Sequence, residues 1–183
     1  MNLHALLGQK PGSNDITAVL TEVTKGANIT GIVPEPDVKI YRDAVYYSYL
    51  PLGISFNFEP STPLSTARNA PKPDPALLSL VAIHLYSHPT DKFATFPLSF
   101  TVSVRPSQAS TPVTVVELDM TRKAHEVVSF LGEPEKKEGG GRAGNCWIGY
   151  QSSLGVSCDL RGADWEDRNM ALGCVTITAS EKK

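Results

Sequence analysis

Two histidines, His84 and His88, lie four residues apart, a spacing that metal ligands often have on a helix. Here they lie on or just after an apolar stretch with strand periodicity, where four residues span roughly 13 Å. No cysteine or acidic cluster lies near them in the sequence. We therefore predict surface histidines near a strand end, and no metal site.

Residues 139–144 are rich in glycine, as phosphate-binding loops are. A working phosphate loop follows a buried strand, carries a Lys-Ser/Thr pair and leads into a helix N-terminus. In this chain a strand pattern follows the glycines, and the Lys-Ser/Thr pair is missing. The segment is therefore predicted to be a flexible loop.

Carboxylates are concentrated at Asp164, Glu166 and Asp167. Their spacing lacks the glycine and the terminal glutamate of a calcium loop. The sequence also contains no serine nucleophile elbow, no Cys/His pairing and no zinc motif. We therefore predict no cofactor and no catalytic residue from local motifs. A catalytic pair that the fold itself assembles stays an open alternative.

The elements that position the other candidates follow from a repeat. Residues 46–58 and 147–160 share one pattern: an aromatic residue, two intervening residues, Tyr, a short break, Leu-Gly, a β-branched residue and Ser. Each copy follows a stretch with helical periodicity. The first apolar stripe is Ile16, Val19, Leu20 and Val23, and the second is Ala124, Val127, Val128 and Leu131.

Capping residues mark the boundaries of both predicted helices. Ser13 and Asp15 offer side-chain oxygens to the first turn of one helix, and Thr121 offers its hydroxyl to the other. Gly26 and Gly132 are predicted to end the two helices.

An apolar strand closes each copy, at residues 80–86 in the first and 172–178 in the second. The proline-rich residues 60–75 and the Lys-, Glu- and Gly-rich residues 135–144 are predicted to be loops. Capped helix, aromatic strand, Leu-Gly strand and apolar strand thus recur in the same order. The helix stripes begin 108 residues apart, at Ile16 and Ala124. We predict an internal duplication.

Each unit carries one apolar helix stripe and one apolar strand face, which can be buried only against each other. The predicted fold class is therefore α+β: two degenerate helix-plus-antiparallel-strand repeats that form one extended antiparallel sheet with both helices on one face. The first unit spans residues 1–104, a linker spans 105–112, and the second unit spans 113–183. The other sheet face is predicted to be open, as antiparallel sheets permit.

Strand parity predicts which side chains lie on that open face. If Ile54, Phe56 and Phe58 point to the helices, the residues between them point away. The predicted binding surface consists of Tyr46, Ser55, Asn57, His84, Tyr86, Trp147, Ser157 and Asp159. Aromatic side chains among short polar ones are typical of protein-binding surfaces. In the alternative interpretation, Tyr46 and Trp147 simply cover the junction of the two halves.

The bulk composition narrows the class of protein. The chain has 183 residues, 41% of them hydrophobic, and a formal net charge of −2, which argues against a strongly basic nucleic-acid binder. No apolar run is long enough for a membrane span or an export signal. Three cysteines leave at least one unpaired, which favours reduced thiols. We therefore expect a cytoplasmic protein that binds neither nucleic acid nor membrane.

One short motif supports a resemblance in outline to a known group. Leu131-Gly132-Glu133-Pro134 is followed by Trp147 and Tyr150. In this respect the chain resembles the tandem-repeat proteins of the β-lactamase inhibitory protein and BamE/SmpA superfamily, in which a short helix ends in a Leu-Gly-x-Pro-like segment before an aromatic strand. The first half lacks this element, and the lipoprotein attachment signal is absent. The resemblance implies a binding protein whose open sheet face binds another protein.

Two hypotheses for function follow. The first is a non-enzymatic binding protein that uses the open face of an antiparallel sheet and has another protein as its partner. The alternative is a small hydrolase or ligand-binding enzyme with a site between the two halves. An enzyme is expected to show a deep pocket with convergent titratable groups, which distinguishes the two.

Overall fold

A computed structural model describes residues 1–65, 71–87, 92–104 and 114–180 of the chain. The predicted linker 105–112 and His88 lie outside the described residues. Within them, the α-helices are α1 (Asn14–Gly26), α2 (Ala124–Leu131) and α3 (Gln151–Leu154). The strands are β1 (Asp37–Ile40), β2 (Val45–Tyr49), β3 (Ile54–Pro60), β4 (Leu78–Tyr86), β5 (Phe100–Val104), β6 (Thr114–Leu118), β7 (Lys136–Glu138), β8 (Trp147–Tyr150), β9 (Val156–Arg161) and β10 (Ala171–Thr178). The fold class is α+β, as predicted.

The first helix begins and ends where the sequence predicts. Ser13 is its N-cap residue, and the Ser13 hydroxyl accepts a hydrogen bond from the Ile16 amide at 3.4 Å. The helix extends to Gly26, and its buried residues include Leu20 and Val23. The apolar stripe is therefore the face that packs into the protein.

The second helix begins differently from the prediction. Its N-cap residue is Lys123, whose amide donates a hydrogen bond to the Glu126 carboxylate at 2.7 Å. The prediction that Thr121 caps this helix is wrong, because its hydroxyl and its amide both bind the Asp119 carboxylate in the preceding turn. Gly132 follows the last helical residue, as predicted.

Eight strands form one antiparallel sheet in the order β1-β2-β3-β4-β10-β9-β8-β7. The strands of the first half, β1 to β4, therefore run from one edge to the centre in chain order. The strands of the second half, β7 to β10, do the same from the other edge. The last strands of the two halves, β4 and β10, pair at the centre, with His84 opposite Thr176.

Each half turns back at a glycine in the left-handed conformation. Gly53 follows a 3₁₀ turn at Leu50–Leu52 and Gly155 follows α3, and both have a φ of 64°. The Gly53 carbonyl accepts a hydrogen bond from the Tyr86 amide at 3.0 Å. The Gly155 carbonyl accepts the equivalent bond from the Thr178 amide at 2.8 Å. The two turns are therefore anchored in the same way to the ends of β4 and β10.

The helices and the apolar side of the sheet share one core. Phe56, Ile83 and Val175 on the strands are fully buried, and they belong to the same hydrophobic cluster as Leu20 of α1 and Val127 of α2. Both helices therefore cover the same face of the sheet. Among the described residues, no helix is both long enough and apolar enough to cross a membrane.

Three strands differ from the prediction. The sequence predicts a loop over residues 135–144, which is wrong for residues 136–138, because they form β7 at one sheet edge. The charged and fully exposed sequence Lys-Lys-Glu has no apolar periodicity, which is common for edge strands. In addition, β5 and β6 pair with each other in a separate two-stranded sheet, with Phe100 opposite Leu118. These two strands belong to different predicted units, so the units also contact each other there.

Candidate functional site on the open sheet face

The central row of the sheet face opposite the helices crosses all eight strands and is polar except for one glycine. In register from β1 to β7, its residues are Asp37, Ser48, Ser55, His84, Thr176, Ser157, Gly149 and Lys136. Three of the predicted binding residues, Ser55, His84 and Ser157, lie in this row. We call this face the open face.

The other five predicted residues lie in the two rows that flank it. Tyr46 and Asn57 are directly opposite each other on β2 and β3. On the other side, Tyr86, Asp159 and Trp147 belong to one row that crosses β4, β10, β9 and β8. Strand parity therefore placed all eight residues on the same side of the sheet, and their role in binding stays a prediction.

The open face is not evenly accessible. Ser55 is only 1% exposed and Ser48 only 8%, although both point away from the helices. Their hydroxyl oxygens are hydrogen-bonded to each other at 2.9 Å. Ser55 therefore lies at the base of the open face. A flat partner surface cannot reach it, contrary to what the prediction implied.

A pocket of about 580 Å³ lies above these serines, on the half of the open face that β1 to β4 form. Its aromatic lining residues are Tyr41, Tyr46, Tyr86 and Phe93. The rings of Tyr41 and Tyr46 meet at 88° with centroids 5.8 Å apart. The rings of Tyr86 and Phe93 are stacked at 3.8 Å. A volume of this size and several aromatic walls are typical of ligand-binding pockets.

The polar lining of the pocket has neutral and charged parts. Ser48, Ser55 and Asn57 lie on the strands beneath it, and the Asn57 amide nitrogen donates to the Tyr46 hydroxyl at 3.3 Å. The charged lining residues are Lys39, Asp43 and Glu59. Among the described lining residues, two carboxylates and one ammonium group therefore give a net negative charge at neutral pH.

His84 lies beside the pocket, between the two halves of the sheet. Its Nδ1 is hydrogen-bonded to the Thr176 hydroxyl at 3.0 Å, and its ring is stacked on Tyr46 with centroids 6.2 Å apart. Its Nε2 is buried and has no hydrogen-bond partner among the residues that the structure describes. Burial lowers the pKa of His84, so the neutral imidazole is the favoured form at pH 7.

The neighbouring row contains three groups with raised pKa values. Burial, together with nearby Cys174, raises the pKa of Tyr86 to about 12. Burial and the nearby Asp159 carboxyl raise the pKa of Cys174 to about 12. Partial withdrawal from water also raises the pKa of Asp159. The Tyr86 hydroxyl and the Cys174 thiol are therefore protonated at neutral pH, and the thiol is a poor nucleophile.

The second half of the open face is filled where the first half is hollow. Gly149 lies in the row position that corresponds to Ser48, one strand in from the edge strand. A Cβ atom at Gly149 would lie 2.6 Å from the Trp147 ring and would also collide with the Gln151 side chain. The Trp147 and Gln151 side chains therefore occupy the space above this position.

Metal ligands are not clustered in the described parts of the chain, where no group of three or more His, Cys, Asp or Glu side chains could hold an ion. The Asp164 and Asp167 carboxylates accept hydrogen bonds from the Glu166 and Asn169 amides, respectively, in their own loop. Trp165 donates its indole N–H to the Gly139 carbonyl at 3.2 Å. The acidic and glycine-rich segments therefore contact each other.

Sequence reasoning missed several pocket residues. Lys39, Ser48 and Glu59 share strand parity with the predicted residues and could have been found by extending the alternation along β1, β2 and β3. Asp43 lies in the hairpin between β1 and β2, and Phe93 lies beyond β4 in a segment without regular structure. Neither has a periodic signal in the sequence.

Comparisons of this chain with protein-family models, with curated proteins and with solved structures gave no significant match.

Proposed function

We propose that this protein is a non-enzymatic binding protein that recognises a peptide segment of another protein with the pocket on its open face. One observation carries the proposal: four aromatic rings and a small set of polar groups surround a volume of about 580 Å³ outside the helix-backed core. Tyrosine side chains combine large apolar area with a hydroxyl group, and they are enriched among the residues that dominate protein interfaces.

The contacts of Ser55 and His84 favour binding over hydrolysis. These residues are directly opposite each other on β3 and β4, and their types are those of a serine nucleophile and a general base. The Ser55 hydroxyl, however, is paired with Ser48, and His84 is oriented by the Thr176 hydroxyl and not by any carboxylate of the described residues. A serine nucleophile needs a hydrogen bond to its base, and the base needs an orienting partner.

Internal duplication belongs to the same proposal. The mirrored strand order and the matched turns at Gly53 and Gly155 support it. On this view, one copy retained a hollow open face and the other became filled by Trp147. The three free thiols, at Cys146, Cys158 and Cys174, support a reducing compartment as the site of action.

The proposal is tested by selecting binders from a random peptide library displayed on phage, with the full chain as the target. Enriched peptides are synthesised and their affinities are measured by calorimetry. We expect Tyr46→Ala and Tyr86→Ala to weaken binding by about tenfold each, as loss of an interface aromatic typically does. Phe130→Ala is the matched control, because Phe130 is 43% exposed and belongs to α2 on the opposite side of the sheet.

The result separates the proposal from its alternatives. Peptides that lose affinity with Tyr46→Ala but not with Phe130→Ala support binding at the pocket. Selected peptides that are insensitive to both open-face changes, or a selection that enriches nothing, would show that the pocket is not a peptide-binding site. Melting temperatures of the variants show whether a loss of binding reflects a loss of folding.

A further inference from the structure

The aromatic end of the pocket has geometry suited to a cation. Tyr41 and Tyr46 both line the pocket, and their rings are nearly perpendicular, at 88° and 5.8 Å. Two perpendicular rings offer a bound group one ring face and an adjoining wall. The face of an aromatic ring is the negative part of its quadrupole, so such a corner attracts positive charge.

Unpaired carboxylates lie at the same end. Asp43 is in the hairpin that begins at Tyr41, and Glu59 lies two residues beyond Asn57, the strand partner of Tyr46. Neither carboxylate forms an ion pair with any described residue of the chain. A cation in the corner formed by the two tyrosine rings would therefore gain both ring and carboxylate interactions.

The surroundings add little positive charge. Lys39 is the one basic side chain among the described residues that line the pocket. The imidazole stacked behind Tyr46 belongs to His84, whose pKa is lowered by burial, so it is neutral at pH 7. It would not repel a cation at that pH.

An anion fits the same pocket less well. Anion sites combine several charged or free donors around the ligand. Here one hydroxyl of the Ser48–Ser55 pair donates to the other and the Asn57 amide donates to Tyr46, so Lys39 is the one charged donor among the described lining residues. Lys39 alone would have to balance an anion against two nearby carboxylates.

We infer that the group bound in the corner formed by the Tyr41 and Tyr46 rings is a basic side chain, arginine or lysine, of a partner peptide; this rests on the proposed binding function. The occupant is thus a peptide that carries at least one exposed basic residue. Arginine is expected to bind more tightly than lysine, because its planar guanidinium group can stack on a tyrosine ring and pair with a carboxylate at the same time.

The test uses acetyl-AAXAA-amide pentapeptides, in which X is Arg, Lys, Gln or Glu, titrated into the full chain and followed by NMR. We expect millimolar binding of the Arg and Lys peptides, with the Gln peptide weaker by about tenfold. Tyr46→Leu should weaken binding of the Arg peptide by about fivefold or more, whereas Tyr46→Phe keeps the ring and most of the affinity.

Charge variants provide a test that does not depend on the aromatic core of the site. Asp43→Asn and Glu59→Gln should each weaken the Arg peptide by about two- to fivefold, because each removes one exposed carboxylate partner. Lys39→Gln should strengthen it by about twofold, because it removes a competing positive charge. All three positions are exposed, so these changes are expected to leave the fold intact.

The outcomes distinguish this inference from the function on which it rests. If the Glu or Gln peptide binds as tightly as the Arg peptide, or if Lys39→Gln weakens the Arg peptide, the pocket does not prefer a cation. If display-selected peptides that depend on Tyr46 carry no basic residue, the inference fails while peptide binding stands. If neither these pentapeptides nor any selected peptide perturbs the pocket resonances, both fail.

Discussion

The two halves of the open face have the same strand pairing, but one half has a pocket and the other is filled by side chains. Tyr46 on β2 and Trp147 on β8 occupy matching positions, each in a flanking row on the second strand in from its own edge. Beside Tyr46, Ser48 lies at the bottom of a pocket of about 580 Å³. Beside Trp147, a glycine leaves room for the indole ring to lie over the sheet.

This difference shows how the same strand pairing can carry a pocket in one half of the sheet and a filled surface in the other. The backbone pairing is the same, and the change depends on whether the residue at one row position has a side chain. At Ser48 the side chain is hydrogen-bonded down into the sheet, to Ser55. At Gly149 the missing side chain allows Trp147 and Gln151 to fill the space. The pocket is therefore a property of side chains on a shared backbone.

The largest expected effect tests whether the turns at Gly53 and Gly155 depend on the same close backbone packing. Gly155→Ala places a Cβ against the Thr178 carbonyl and 2.9 Å from the Ser180 amide nitrogen, at a φ of 64°. We expect a loss of about 3 kcal/mol or more in the free energy of unfolding, or roughly 10 °C in Tm. Gly53→Ala should be similarly harmful, because its Cβ would meet the backbone of Ala94 and Phe96.

Gly141→Ala is the control for this pair. Gly141 also has a positive φ, 55°, but nothing lies within 4 Å of its Cβ position. It should cost only about 1 kcal/mol of conformational strain. If thermal denaturation shows Gly53→Ala or Gly155→Ala to be as mild as Gly141→Ala, that turn does not depend on close packing, and the equivalence of the two turns is lost.

The second prediction exchanges the surfaces of the two halves. Gly149→Ser should displace the Trp147 ring and cost about 1 to 3 kcal/mol, because it adds atoms to a filled site. In a Trp165→Phe background, the fluorescence of Trp147 should shift to longer wavelength as the ring becomes exposed to water. An unchanged emission spectrum with unchanged stability would mean that the space above Gly149 is not filled in solution.

The reverse change, Ser48→Gly, is the matched partner of this experiment. It removes the hydrogen bond to Ser55 and introduces a glycine into a strand, at a cost of about 1 to 2 kcal/mol. It opens the base of the pocket instead of filling it. We therefore expect it to change peptide affinity, whereas Gly149→Ser, which lies on the other half, should leave peptide affinity unchanged.

The contrast between the halves also explains what could be predicted from the sequence. Alternation along the strands placed Tyr46, His84 and Trp147 on the correct side of the sheet, because side-chain direction in a strand follows from period two alone. The helix stripes at Ile16 and Ala124 were identified for the same reason, with a period of 3.6. Local periodicity is therefore sufficient to predict which side of each element is apolar and the order in which the elements follow.

The depth of the surface could not be predicted in this way. Ser55 has the parity of an exposed residue, yet it is 1% exposed, and its hydroxyl is hydrogen-bonded to Ser48 on the neighbouring strand. Tyr41 and Phe93 enter the pocket from a hairpin and from an irregular segment, where no period constrains direction. The edge strand β7 is charged throughout and has no apolar residue to reveal it. These features depend on contacts between distant segments.

The third prediction concerns the junction between the halves, where His84 of β4 meets Thr176 of β10. Burial lowers the pKa of His84 in the folded protein, so the unfolded chain takes up the proton first. This contribution to stability is therefore present above the unfolded pKa of about 6.5 and is lost as pH falls below it. His84→Gln keeps a neutral side chain, so its Tm should fall less steeply between pH 7 and pH 5.

His125→Gln is the control, because His125 is exposed and binds the Arg168 carbonyl on the opposite side of the molecule. Its Tm curve shows what replacing an exposed histidine does to the protein, against which the effect of His84→Gln is compared. Parallel Tm curves for His84→Gln and the wild type over this range would show that the junction carries no buried neutral histidine.

The smallest expected effect is at Asp159, the counterpart of Asn57 in the second half. Partial withdrawal from water raises the pKa of Asp159, so the folded state binds its proton more tightly than the unfolded chain does. Stability is therefore lost as pH rises through the unfolded value of about 3.9 and levels off above the folded pKa.

Asp159→Asn removes this loss and should raise Tm by about 1 to 2 °C at pH 7, because the residue is exposed and its environment is partly aqueous. The gain should disappear at pH 3, where the carboxyl is protonated in both states. A gain that persists at pH 3 would point to packing or hydrogen bonding of the amide. In that case the charge of Asp159 would not be what distinguishes its flanking row from the row of Asn57.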